Sequence, residues 1–110
     1  MSLYADYLRE RTDDLILEDP KGFATYRYLP DGKTVYIVDI YVVPEARKQG
    51  FGSELANLIA EEAKAKGCTS MLGSVVPTTK GSMTSMKVLL GYGMRLDHAG
   101  DNFIFFRKDL

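Results

Sequence analysis

Asp39-Ile40-Tyr41-Val42-Val43-Pro44-Glu45-Ala46-Arg47-Lys48-Gln49-Gly50-Phe51-Gly52-Ser53-Glu54-Leu55 is the stretch on which the fold turns. Its first residues end a long run, Thr34 to Val43, that is rich in β-branched side chains and reads as a strand. Pro44 closes that strand. From Phe51 the period changes to that of a helix, with Phe51, Leu55, Leu58, Ile59 and Ala63 on one face and Gly67 as its stop. Between them lies a basic triplet followed by Gly-x-Gly. Gly50 and Gly52 let the backbone pass close to a ligand. The first helical turn presents unpaired N–H groups and the positive end of a dipole. With Arg47 and Lys48 this predicts an anion site suited to phosphate. No Gly-Lys-Ser/Thr follows, so it is not a P-loop, and the third glycine of a dinucleotide fingerprint is absent.

Working outward, the long strand is apolar on both faces, which places it centrally in a sheet. Strict alternation puts Tyr36, Val38, Ile40 and Val42 on one side, and Val35, Ile37, Asp39, Tyr41 and Val43 on the other. Asp39 is the one acid within it. Upstream, Leu3, Tyr4, Tyr7 and Leu8 form the stripe of a short helix that Ser2 caps. Leu15–Leu17 and Phe23–Leu29 read as strands, and Pro30-Asp31-Gly32-Lys33 as a hairpin turn. Downstream come a strand from Thr69 to Val76, closed by Pro77, and a helix with Met83, Met86, Leu89 and Leu90 inward. A closing hairpin follows around Ala99-Gly100-Asp101. The expected order is α, β, β, β, α, β, α, β, β. Strand–helix–strand from Thr34 to Val76 is a right-handed crossover, so those two strands run parallel within an otherwise antiparallel sheet.

The bulk numbers suit one soluble domain spanning residues 1–110: 45% hydrophobic, 26% charged, net charge -1. No global basic field points to nucleic acid or an anionic membrane, and no apolar run spans a bilayer. Neither partner is therefore expected, and the expected location is cytoplasmic. No metal site is expected. Cys68 is the only cysteine and reads as a small buried hydrophobe. Charge is unevenly spread. Residues 1–31 carry seven acids (Asp6, Glu10, Asp13, Asp14, Glu18, Asp19, Asp31) against four bases, while residues 32–110 net +2.

The quoted stretch resembles the central motif of the GNAT acetyltransferase superfamily: a strand, then Arg/Gln-x-x-Gly-x-Gly/Ala, then a helix. Leu89-Leu90-Gly91-Tyr92-Gly93-Met94 is similar to that family's helix-ending Leu-Gly-Phe segment. The likeness covers roughly residues 23–107, with the family's first strand and one early helix missing. It implies an α/β (α+β) fold whose central parallel pair splays to admit coenzyme A. It implies an acetyl-CoA-dependent N-acetyltransferase in which Ile40, Tyr41 and Val42 pair with the pantetheine arm. Arg47, Lys48, Gln49, Gly50, Phe51, Gly52 and Ser53 would wrap the pyrophosphate. The Val42 N–H would hold the developing oxyanion. Gly73, a glycine within a strand, marks either the place where the sheet opens or a bulge.

The resemblance has gaps. Where many members carry a thiolate-protonating Tyr, this chain has Lys87; where they carry Asn, it has a residue near Lys80. Asp39 is the candidate base; the alternative is a carboxylate paired with Arg95, Arg107 or a backbone group. His98 has a suitable pKa but falls in a predicted turn. The acidic first third suggests a cationic amine acceptor, whether a small molecule or a peptide, and open strand edges suggest a homodimer. The competing reading is a catalytically silent acyl-CoA-binding regulatory module.

Overall fold

A computed structural model describes residues 3–12, 14–76 and 89–110. The elements are α1 (Leu3–Arg11), β1 (Leu15–Asp19), β2 (Gly22–Tyr28), β3 (Thr34–Val42), a 3-10 turn (Pro44–Ala46), α2 (Phe51–Ala65), β4 (Ser70–Val75), β5 (Arg95–Gly100) and β6 (Phe103–Asp109). Residues 89–91 are helical. The expectations placed on Ser2, Pro77, Lys80, Met83, Met86 and Lys87 lie outside the described residues.

One six-stranded sheet runs β1-β2-β3-β4-β6-β5. Only β3 and β4 are parallel. The mixed, mostly antiparallel sheet with a central parallel pair is therefore present as expected. α2 crosses between the parallel strands and packs on one face. Leu55 and Ile59 of α2 and Val35 and Met71 of the sheet are the largest fully buried side chains among the described residues. Leu89 and Met94 join the same core, and Tyr92 Oη donates to Asn57 Oδ1 of α2 at 2.8 Å, so residues 89–94 lie on the α2 face too.

β3 departs from strict alternation. Thr25 faces Asp39, yet Tyr26 faces Ile37, so Val38 is an extra residue. Such a bulge bends its strand and shifts the pleat by one. Cross-strand partners share a face, so Ala24, Tyr26 and Tyr28 place Ile40, Ile37 and Val35 together under α2. The two-faced assignment from the sequence is thus corrected: Val35, Ile37, Ile40 and Val42 turn to α2, and Tyr36, Asp39 and Tyr41 to the opposite face. A Cβ added at Gly52 would meet Ile40 and Val42 side chains at 3.9 Å, which agrees.

Other local expectations also shift. In α1 it is Ala5 and Leu8 that are buried, while Leu3, Tyr4 and Tyr7 stay exposed. Leu58 and Leu90 are exposed as well. Glu62, on the rear half of α2, reaches across to the sheet. It accepts hydrogen bonds from Tyr26 Oη at 2.8 Å and Tyr28 Oη at 2.6 Å, which hold its carboxyl below the usual range. The closing turn falls at Asp101 and Asn102, both with positive φ, so the preceding strand extends through Gly100.

Gly22 ties the β1–β2 turn to β3. A Cβ there would collide with the Tyr41 carbonyl oxygen. Backbone cannot yield as a side chain tip would. Gly22→Ala is expected to cost about 3 kcal/mol of stability, the upper range for overpacking, measurable as a lowered midpoint in urea unfolding.

Candidate active site

The parallel pairing of β3 and β4 stops early. Its rungs run from Thr34–Ser70 to Ile37–Gly73, yet β3 continues to Val42 and β4 to Val75. β4 stays paired to β6 through Val75–Ile104, and β3 stays paired to β2 through Gly22–Val42. The sheet is therefore split between its two middle strands, and the split begins where the Val38 bulge bends β3 away.

One edge of the split carries β3 backbone that has no strand partner on that side. The Val43 N–H donates to Lys21 O at 2.8 Å, toward β2. By alternation the groups of Val42 and Ile40 turn the other way, into the split. Arg47 Nε donates to Val42 O at 2.9 Å, consistent with that direction. The Arg47 guanidinium also lies 5.6 Å over the Tyr41 ring.

At the open end of β3 the loop has the backbone geometry of an anion cradle. Lys48 and Gly50 both have positive φ, 64° and 79°. Turns of this kind aim successive N–H groups into a concavity. Gly50 is the N-cap of α2 and supplies no side chain to it. The first intrahelical bond is Glu54 N–H to Gly50 O at 3.0 Å, which leaves the N–H groups of Phe51, Gly52 and Ser53 without helical partners. Gln49 Nε2 braces the loop by donating to Glu45 O at 3.1 Å. The Lys21 ammonium lies 5.9 Å from the Phe51 ring centroid. Sequence reasoning passed over Lys21, because its link to the cradle runs through the β1–β2 turn, 30 residues away.

On the face opposite α2, Asp39 stands beside Thr25 and is flanked by Tyr41, which stacks on Phe23 at 5.7 Å. Asp39 is exposed by surface area, but neighbouring atoms partly desolvate its carboxyl. That burial raises its pKa, opposed by the Ile40 N–H. The arginines proposed as its partners are engaged elsewhere: Arg95 pairs with Asp109, and Arg107 with Asp97 and Ser70. Glu18, Asp19, Phe23, Tyr41 and Val43 line a shallow hollow next to it. Asp14 does not add to that negative surface. It is buried, with Arg27 Nε 2.6 Å from its Oδ1.

His98 lies on β5, not in a turn. Its Nδ1 is 2.7 Å from Asp97 Oδ2, and its ring stacks on Phe105. Cys68 is buried, as expected. Among the described residues no cluster of three metal-ligating side chains exists, and no helix is long and apolar enough to cross a membrane.

The sequence profile of the Acetyltransferase (GNAT) family matches residues 4–92. The chain belongs to the GNAT family. Among curated relatives, thialysine N-epsilon-acetyltransferase of Bos taurus is 41% identical over 58 residues, 53% of this chain and 34% of that protein. The chain thus spans about a third of that relative's length. Among solved structures, the PaiA N-acetyltransferase of Thermoplasma acidophilum, in complex with coenzyme A, superposes with a TM-score of 0.76 at 14% identity, covering 96% of this chain and 66% of the other. A Bacillus subtilis acetyltransferase in complex with CoA gives 0.71 at 19% identity, covering 96% and 83%. At those identities the GNAT fold is what is shared.

Proposed function

We propose that residues 1–110 act as one acetyl-CoA-dependent N-acetyltransferase domain, moving an acetyl group to a primary amine by direct attack. The observation that carries this reading is the alignment of two features on β3: its unpaired edge in the split, and the anion cradle where the strand ends. A pantetheine arm laid along Ile40–Val42 as an added strand would bring its pyrophosphate to Arg47–Ser53. The fit is chemical as well. Glycines at 50 and 52 leave backbone N–H groups accessible, and Arg47, Lys48 and Lys21 supply positive charge. Acetyl-CoA supplies the thioester.

The N–H groups facing the split, that of Val42 and, one step deeper, that of Ile40, hold the thioester carbonyl and the oxyanion that grows from it. Asp39 takes a proton from the acceptor, directly or through a water, so that the neutral amine attacks the thioester carbon. The carbon–sulfur bond then breaks and CoA leaves as the thiolate, which takes up a proton on release. The raised pKa of Asp39 suits it to its task better than an ordinary surface carboxylate. Proximity of the two reactants supplies much of the rate.

The acceptor approaches from the face opposite α2. There the hollow combines the Glu18 and Asp19 carboxylates with the Phe23 and Tyr41 rings, a lining that favours a cationic amine. Thialysine is the first acceptor to try, followed by polyamines, aminoglycoside-like amines and lysine peptides. The test is calorimetry with acetyl-CoA, then acceptor-dependent release of CoA thiol. Micromolar binding with thiol release is expected. Binding without release to any amine would favour a silent acyl-CoA-binding module, and no heat at high micromolar acetyl-CoA would remove the proposal.

A further inference from the structure

The split in the sheet has a closed inner end, and its walls are specific. Ile37–Gly73 is the last rung joining β3 to β4. On the α2 face, Met94 and Leu89 close over that rung: a methyl at Gly73 would lie 3.5 Å from Met94 Cε and 3.6 Å from Leu89 Cδ2. On the opposite face, Tyr36 of β3 is hydrogen-bonded through its hydroxyl to Ser74 Oγ of β4. Tyr36 pairs in register with Leu72, so its ring leans two residues forward to reach Ser74, past the last rung and across the point where the strands part. Both residues are half-buried. Phe105 stands behind Ser74 as its partner on β6.

We propose that Tyr36, clasped to Ser74, is the end wall of the acyl pocket and limits the protein to short acyl groups, accepting acetyl and excluding butyryl and longer chains. This rests on the reading of the split as the thioester channel. An arm that enters at the cradle, runs inward past Val42 and holds its thioester at Ile40, the next residue to face the split, brings its acyl end to this corner, toward which the Tyr36 ring leans. The corner has a backbone floor, an aliphatic wall and a phenol wall, all packed against their neighbours. A pocket of fixed depth discriminates by about one to two orders of magnitude per surplus methylene.

The experiment compares acetyl-CoA with butyryl-CoA by calorimetry, so it needs no acceptor. Wild-type protein is expected to bind acetyl-CoA at least tenfold more tightly. Tyr36→Val, which keeps a strand-forming residue, is expected to reduce that ratio below about threefold, mainly by improving butyryl-CoA binding. Tyr36→Phe keeps the ring and is expected to retain the preference. Equal wild-type affinities for the two thioesters would overturn the inference and leave the coenzyme reading standing. So would an unchanged ratio in a folded Tyr36→Val. Absence of binding to either thioester would overturn both.

Discussion

Gly50→Asp is expected to weaken acetyl-CoA binding by a hundredfold or more while leaving the fold intact. Gly50 sits at φ 79° as the N-cap of α2, and nothing lies within 4 Å of a Cβ placed there. Space is thus free, and the cost of substitution is conformational. Asp and Asn tolerate the left-handed region better than other side chains. What Asp adds is a carboxylate inside the cradle. Two unit charges about 4 Å apart repel by about 4 kcal/mol at an effective dielectric near 20, roughly a thousandfold in affinity. Screening by salt and by Arg47 and Lys48 reduces that figure. Gly50→Asn carries the same backbone strain without the charge and separates the two effects. Calorimetry on both variants, with circular dichroism as the folding control, should show a large loss for Asp and a small one for Asn. Equal losses would mean that the loop's shape, not its charge, governs binding.

The second large effect is expected at Asp39. Asp39→Asn should lower kcat/KM by a factor of about 10² to 10⁴, the range general acid–base groups contribute, with acetyl-CoA affinity unchanged. Stability should move the other way. Asp39 has a raised pKa in the folded chain because burial disfavours its charge. The stability linked to its protonation is therefore present below the ordinary carboxylate value and lost as pH rises through the raised one. At neutral pH the carboxylate opposes folding, so Asn should unfold at the same or a higher temperature than the wild type. Wild-type kcat/KM should rise with pH through the raised Asp39 value, and that limb should vanish in Asp39→Asn. A variant that loses stability along with activity would point to a structural carboxylate.

The element order was readable from period and punctuation. Pro44, the Gly50–Gly52 pair and Gly67 bracket β3 and α2 correctly, and the crossover rule assigns the parallel pair. The phosphate-suited loop was equally plain, since its signal is local. What could not be read is whatever depends on distant neighbours. The bulge at Val38 leaves no mark in an apolar strand, because valine and isoleucine suit either face; only the pairing of β2 reveals that Ile37 and Ile40 point the same way. Asp14 looked like part of an acidic surface, and only Arg27, which β2 brings beside it, shows it to be neutralised. α1 misled for a similar reason. Its stripe put Leu8 inward correctly, but the other buried position is the small Ala5, while Leu3, Tyr4 and Tyr7 stay exposed. His98 was displaced by a turn that formed two residues later than the glycine suggested.

The two phenols on Glu62 give α2 a fixed tail. Glu62 lies 11 residues beyond Phe51, about 16 Å along the axis at about 1.5 Å per residue. A rod pinned at that distance acts as a lever. A tilt of about 4° at the tail swings the head by about 1 Å, the scale of misplacement that can cost a hundredfold in rate. The aim of the first helical turn, where the proposed pyrophosphate site lies, is thus set in part by Tyr26 and Tyr28 at the far end of the helix.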